Sequence, residues 1–198
     1  MKTRDEVQAE AVAALKENNG GTVHILTGGG KCKIAIDYIL QTAKPNDTVI
    51  IAVPLTVLVT NWIKEFQKWT QCELKNSLIT LTVITSNGSI DIIIDTIQSL
   101  YKVNMTTTFL IVDEIHTALS KEYSNILTNI KYKVVIGLTA TLDITKRFDK
   151  ENLYTQYCPV VFSYTEGEDD GVVNKTKFVI INHYLTDEFR IMAGTKEK

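Results

Sequence analysis

The chain has 198 residues, 44% hydrophobic and 22% charged, with 21 Lys and Arg against 23 Asp and Glu for a formal charge of −2. That composition excludes a chain disordered over most of its length, and the slight negative charge excludes a polybasic binder that holds nucleic acid by bulk charge. Cys32, Cys72 and Cys158 stand far apart with no CxxC pair, which excludes a disulfide framework and a cysteine-rich zinc site and fits a reducing compartment. Met1–Glu6 runs into a helical pattern, not the apolar core of a signal peptide, and no apolar run approaches the ~18 residues of a membrane span. A soluble protein of the cytoplasm, or of the nucleus in a eukaryote, is expected, with no membrane partner.

In chain order, residues 4–17 carry Val7, Ala11, Ala14 and Leu15 at helical spacing until Asn18-Asn19-Gly20-Gly21 stops them. Thr22–Leu26 reads as a short strand, Thr27–Gly30 as a glycine loop and Lys31–Thr42 as a helix closed before Pro45. Thr48–Val53 is a continuous β-branched run, the mark of a strand buried on both faces. Pro54 opens a helix to Trp69, in which Trp62, Phe66 and Trp69 recur at helical spacing and are expected in the core. Ile79–Thr85 and Ile90–Ile94 read as strands split by the Asn87-Gly88 turn, and Thr96–Tyr101 as a short helix. Phe109–Val112 is a strand ending in acids, Lys121–Ile130 a helix and Lys133–Leu138 a strand. An acidic turn, Glu166–Gly171, bounds the core domain at 1–165; within 166–198, Thr176–Leu185 is one further strand and Ala193–Lys198 a frayed end. Apolar strands alternating with helices predict an α/β fold of three layers, a mostly parallel central sheet with helices on both faces.

Two segments carry chemistry. Thr27-Gly28-Gly29-Gly30-Lys31-Cys32 lies between a strand and a helix, where side-chain-free residues let backbone N–H groups converge on phosphate oxygens. The helix starting near Lys31 would point its positive end at the same anion, and Lys31 would reach the β- and γ-phosphates. Ile25 and Cys32 depart from the usual pattern, Cys32 by standing where a hydroxyl normally coordinates Mg²⁺; a thiol is a soft ligand for a hard cation. The second segment, Phe109–His116, delivers Asp113 and Glu114 to a strand's C-terminal end, where open α/β sheets bind ligands. Asp113 would hold Mg²⁺, directly or through water, and Glu114 would orient and deprotonate an attacking water. His24 and His183 have no partner in the sequence and receive no role.

Asp113-Glu114-Ile115-His116 resembles the DEAD/DEAH-box signature of superfamily 2 helicases and translocases, and Gly137-Leu138-Thr139-Ala140-Thr141 resembles their Thr-Ala-Thr motif. Arg4 and Gln8, ahead of Glu10-Ala11-Val12, are similar to the adenine-binding segment of that family; Val53-Pro54-Leu55 to Asn61-Trp62 and Thr96–Leu100 are similar to its nucleic-acid-contacting segments. The closest flavour is the branch of restriction-enzyme motor subunits and phage, viral or repair DNA helicases, so a phage or viral origin is in keeping.

The resemblance implies a first RecA-like motor domain that binds ATP and Mg²⁺ and couples hydrolysis to movement on DNA, with RNA also open. It implies catalysis by Glu114, Lys31 and Asp113; nucleotide contacts from Arg4, Gln8, Thr27, Gly28, Gly29, Gly30, Lys31 and Cys32; and metal contacts from Asp113 and Cys32. His116, Thr139 and Thr141 would couple the nucleotide to domain motion, and Pro54, Thr96 and Ser99 would touch nucleic-acid backbone, giving little base specificity. The family's second RecA-like domain supplies arginine fingers from a Gln-x-x-Gly-Arg-x-x-Arg segment. None occurs here, where the only arginines are Arg4, Arg147 and Arg190. The expectation is therefore a motor domain working with a second domain in cis, residues 166–198 starting the linker toward it, and turnover nearly absent without it. A competing reading, favoured by Cys32, is a catalytically impaired module that binds nucleic acid or protein as a scaffold.

Overall fold

Thr3 starts the first helix. Its hydroxyl accepts from the Glu6 N–H at 3.2 Å while the Glu6 carboxylate accepts from the Thr3 N–H at 2.6 Å, a reciprocal cap that satisfies two otherwise orphaned donors. Helix α1 (Arg4–Glu17) leads into β1 (Gly21–Ile25), α2 (Lys31–Thr42), β2 (Thr48–Val53) and α3 (Thr56–Trp69). Then follow β3 (Gln71–Leu74), β4 (Thr80–Thr85), β5 (Gly88–Thr96), α4 (Ile97–Leu100), β6 (Met105–Thr106) and β7 (Phe109–Asp113). The last described elements are α5 (Ile115–Ala118), α6 (Ile126–Asn129), β8 (Ile130–Lys131), β9 (Val134–Thr139), α7 (Phe148–Tyr157) and β10 (Val160–Tyr164). The structure, a computed structural model, describes residues 2–74, 80–85, 88–120, 123–142 and 148–165.

One 8-stranded sheet runs β10-β1-β9-β7-β2-β5-β4-β3. Strands β10 through β5 in that order are parallel, and β4 and β3 are antiparallel additions at one side. The mostly parallel α/β sheet expected from the sequence is therefore present. Strands β1, β7 and β9 are buried at every position, as strands covered on both faces must be. One apolar cluster, with Leu15, Ile34, Ile39, Trp62 and Phe66, packs on one face; another, with Ile97, Leu100, Ile115 and Leu127, packs on the other. No described helix is long and apolar enough to cross a membrane.

Several expectations change. Of the helix expected over 121–130, residues 121–122 lie outside the described residues, and 123–130 hold only the single turn α6, because Ser120, Ser124 and Asn125 turn the chain on their own backbone bonds. A separate short helix, α5, follows the acidic strand end directly. Strand β3, the small β6–β8 pair, α7 and β10 carry too few patterned residues to announce themselves. Trp69 is 41% exposed, unlike Trp62 at 1% and Phe66 at 0%. It closes the last turn of α3, where its ring lies under Lys33 and Lys68 and its N–H donates to Glu65 at 2.8 Å. The strand expected over 176–185, the frayed end, the acidic turn, His183, Arg147 and Arg190 lie outside the described residues.

Candidate nucleotide site

Parallel register brings the C-terminal ends of β1, β9, β7, β2 and β5 to one edge. His24 is level with Thr139, Asp113 with Leu138, and Val53 with Thr96. Adjacent strands are ~4.8 Å apart, so the phosphate loop after β1 and Thr96 on β5 lie roughly 19 Å from each other along this edge. That is one ligand site near β1, β9 and β7, and a separate surface near β2 and β5.

In the loop, Thr27 and Gly28 are exposed and Gly29 is buried. Gly30 caps α2 at φ +89°, a conformation that side chains oppose, and a Cβ there would lie 2.2 Å from Nε2 of Gln8. Gln8, buried on α1, donates to the Gly29 carbonyl at 3.1 Å. The residue expected to read adenine thus holds the loop instead in this structure. Ile25 packs against the space beside Gly29, where a Cβ would come within 2.4 Å of its Cγ2. Arg4 opens α1 with its Nε buried, and no hydrogen bond joins that nitrogen to the loop among the described residues.

Lys31 is the first residue of α2, its side chain only 12% exposed, and its Nζ lies 3.2 Å from Oε1 of Glu114. Glu114 reaches it from the β7–α5 turn with φ +49° and ψ 57°. A non-glycine residue held there costs about 1–3 kcal/mol, a cost that neighbouring structure must offset. The other Glu114 oxygen, Oε2, accepts from the Thr139 hydroxyl at 3.3 Å and the Ala140 N–H at 3.4 Å. His116 Nδ1 lies 3.0 Å from the Thr139 hydroxyl and 3.4 Å from Oε2 of Glu114. Thr139 also donates to the Thr141 carbonyl at 2.8 Å and accepts from the Thr141 N–H at 3.1 Å. One hydroxyl proton is therefore divided between a carboxylate and a carbonyl. Gly137 permits this closeness, since a Cβ there would meet Ile115 Cδ1 at 2.6 Å.

Asp113 is 6% exposed, and burial raises its carboxyl pKa, opposed first by the Trp62 N–H. The indole donates to Oδ2 at 3.0 Å and the Glu114 N–H to Oδ1 at 3.1 Å. Cys32 is pushed up to about 12 by burial and then by the Asp113 charge, so its thiol keeps its proton. A thiol is a soft ligand that fits Mg²⁺ poorly, whereas the Asp113 carboxylate fits it. Among the described residues no group of three or more His, Cys, Asp or Glu could hold a metal by itself. A cation here would be shared among Asp113, phosphate and water.

At the second surface, Thr96 caps α4, accepting from the Ser99 N–H at 3.3 Å with its hydroxyl 2.9 Å from that of Ser99. Pro54 follows β2 on the neighbouring strand. Two residues escaped the sequence. Trp62 was legible only as core, although a buried indole N–H needs an acceptor. His24, 8% exposed, bridges Ser163 at 2.9 Å and the Ala140 carbonyl at 3.3 Å; a lone imidazole in an apolar strand was its one signal.

A glycine loop at a helix start, facing two carboxylates on the C-terminal edge of a parallel sheet, defines the class: a RecA-like α/β domain with a candidate phosphate site. Residues 1–144 match the family described as Type III restriction enzyme, res subunit, and the chain belongs to that family. Solved structures share the fold. The SWI2/SNF2 ATPase core of Sulfolobus solfataricus, solved in complex with dsDNA, superposes at TM-score 0.56 and 18% identity over 77% of this chain and 35% of that one. The UvsW helicase of bacteriophage T4 gives 0.55 and 18% over 79% and 57%. The Hef helicase domain of Pyrococcus furiosus gives 0.54 and 19% over 84% and 38%. The chain thus spans between about a third and three fifths of these relatives. No curated protein matches the sequence closely.

Proposed function

We propose that this chain is the ATP-binding motor domain of a DNA helicase or translocase, one that needs a second RecA-like domain in cis for full turnover. The observation that carries the reading is the 3.2 Å approach of Lys31 to Glu114 across the glycine loop, which sets a phosphate-binding cation beside a candidate general base. Thr27, Gly28, Gly29 and Gly30 would offer backbone N–H groups to the phosphates, and Lys31 would exchange Glu114 for a phosphate oxygen. Glu114, released, would orient a water for in-line attack. Mg²⁺, when bound, would neutralise charge on the phosphate oxygens. Asp113 would hold it through the lone pairs that Trp62 and Glu114 leave free, and Cys32 would stay outside its shell. Gln8 would leave Gly29 to meet the adenine edge, and Arg4 would lie along the base or a phosphate.

Thr139 donates to Glu114, and His116 and Thr141 are hydrogen-bonded to Thr139, so replacing Glu114 by phosphate as the partner of Lys31 would be felt at the Thr139–Thr141 strand end. Pro54, Thr96 and Ser99 would meet nucleic-acid backbone. No arginine among the described residues is joined to Glu114 or Lys31, and an arginine finger is commonly worth ~10³–10⁵ in rate. Steady-state phosphate release tests this. The chain alone should hydrolyse ATP very slowly with or without single-stranded DNA, duplex DNA or RNA, and joining a second RecA-like domain should raise the rate by orders of magnitude. Vigorous DNA-stimulated turnover by the chain alone would sink the requirement for a second domain. The scaffold reading draws on the protonated Cys32 thiol; it would prevail if the two-domain protein bound DNA but neither bound nor hydrolysed ATP.

A further inference from the structure

Asp113 has one side-chain donor among the described residues, the indole N–H of Trp62, 3.0 Å from Oδ2. Trp62 lies in the middle of α3, is 1% exposed, and packs at 6.1 Å against the fully buried Phe66. Its ring plane is therefore fixed by packing, independently of the hydrogen bond. An indole donates along one direction and accepts nothing, so it admits one orientation of the carboxylate and occupies one lone pair of Oδ2. The Glu114 N–H does the same for Oδ1 at 3.1 Å. One lone pair remains on each oxygen, in directions that the two donors determine.

We propose that Trp62 is a positioning residue of the phosphate site, its indole N–H locking the Asp113 carboxylate in the one orientation that receives a hydrated divalent cation. The proposal rests on the nucleotide-site reading above. It assigns to α3, the helix that begins beside Pro54, a direct hold on the acidic strand end. Groups that orient a metal's ligand are commonly worth about 10-fold or more in metal affinity. A buried tryptophan that only fills space would leave metal dependence alone.

Calorimetry with a non-hydrolysable ATP analogue, in Mg²⁺ and in EDTA, separates the two roles in the parent, Trp62→Phe, Asp113→Asn and the double variant. Trp62→Phe should keep its metal-free affinity while losing about 10-fold of the tightening that Mg²⁺ confers. In Asp113→Asn that tightening is already gone, and adding Trp62→Phe should change it no further. Full retention of the Mg²⁺ effect in Trp62→Phe, or equal weakening with and without Mg²⁺, overturns the proposal. Absence of any binding by the parent overturns the nucleotide site and this proposal together, and is distinguishable from loss of the Mg²⁺ effect alone. Should Trp62→Phe not fold, Trp69→Phe leaves Trp62 as the sole tryptophan, since the chain has 2. Its indole N–H proton resonance should lie downfield of free indole, return toward it in Asp113→Ala, and move when the Mg²⁺–analogue complex is added. A resonance indifferent to both perturbations refutes the hold on Asp113.

Discussion

Glu114→Gln should have opposite effects on the free protein and on its affinity for ATP. In the free protein Glu114 Oε1 and Lys31 Nζ are 3.2 Å apart. Unit charges at that separation attract by about 5 kcal/mol at an effective dielectric near 20. Both side chains keep some solvent, 12% for Lys31 and 28% for Glu114, so desolvation and screening reduce the net to about 1–2 kcal/mol. Removing the charge should lower the stability of the free protein by ~1 kcal/mol, or roughly 2–4 °C in Tm. The same substitution frees Lys31 for phosphate and removes a carboxylate that repels it. ATP affinity should therefore rise by about tenfold, ~1.4 kcal/mol, while phosphate release by the two-domain protein falls to background. Calorimetry and a thermal melt read both signs. Lys31→Ala supplies the control: binding should weaken strongly, and Glu114→Gln added to it should recover only what loss of the carboxylate's repulsion contributes, less than its gain in the parent. Unchanged or weaker ATP binding in Glu114→Gln alone would refute the claim that Glu114 withholds Lys31 from the phosphates.

Cys32→Thr should enlarge the tightening of ATP binding by Mg²⁺, because a hydroxyl replaces a protonated thiol that offers the cation little; calorimetry at fixed nucleotide and varied Mg²⁺ measures it, and an unchanged Mg²⁺ dependence would mean that Asp113 and water complete the shell. Gly30→Ala should destabilise the fold by about 1–2 kcal/mol and weaken ATP binding, since φ +89° and a Cβ 2.2 Å from Gln8 Nε2 disturb the loop and its latch together; denaturant melts and calorimetry should move jointly. Thiol alkylation at pH 8 followed by mass spectrometry should modify partly exposed Cys72 first, because Cys32 at about 12 and buried Cys158 at about 11 remain protonated there, with labelling of Cys32 accelerating only as pH climbs toward its raised value.

The elements that hold the site were legible because their signals are local. Thr48–Val53 and Lys31–Thr42 come out at the residues their patterns indicate, since a β-branched run and a helical apolar stripe each need no distant partner to be read. Strand β10 was not legible. Val160–Tyr164 is only partly buried and becomes a strand by pairing with β1, a partner more than a hundred positions away. Strand β4 alternates buried and half-buried residues, the sign of one covered face, and that alternation marks the antiparallel side of the sheet. Within the candidate site, the identities of Lys31, Asp113 and Glu114 were legible, but not the backbone strain at Glu114 or the Gln8 hold on Gly29. Trp69 misled because spacing places a residue on a helix face without saying where the neighbouring element ends.

The candidate site is a set of mutually satisfied pairs: Lys31 with Glu114, Asp113 with Trp62, Gln8 with Gly29, and His116 with Thr139. In the proposed reading, a nucleotide replaces the first and third of these and adds its own charge near the second. The partners set free are not at random places. Glu114 Oε2 is bonded to Thr139 and to the Ala140 N–H, and the Ala140 carbonyl is bonded to His24, whose other nitrogen meets Ser163 on β10. Lys31, Glu114, Ala140, His24 and Ser163 thus form one line of contacts from the glycine loop to the outermost described parallel strand. In the proposed reading, a Glu114 carboxylate not paired with Lys31 would repel incoming phosphate. Pairing it with Lys31 suppresses that repulsion at a cost in affinity that the Glu114→Gln measurement reads directly.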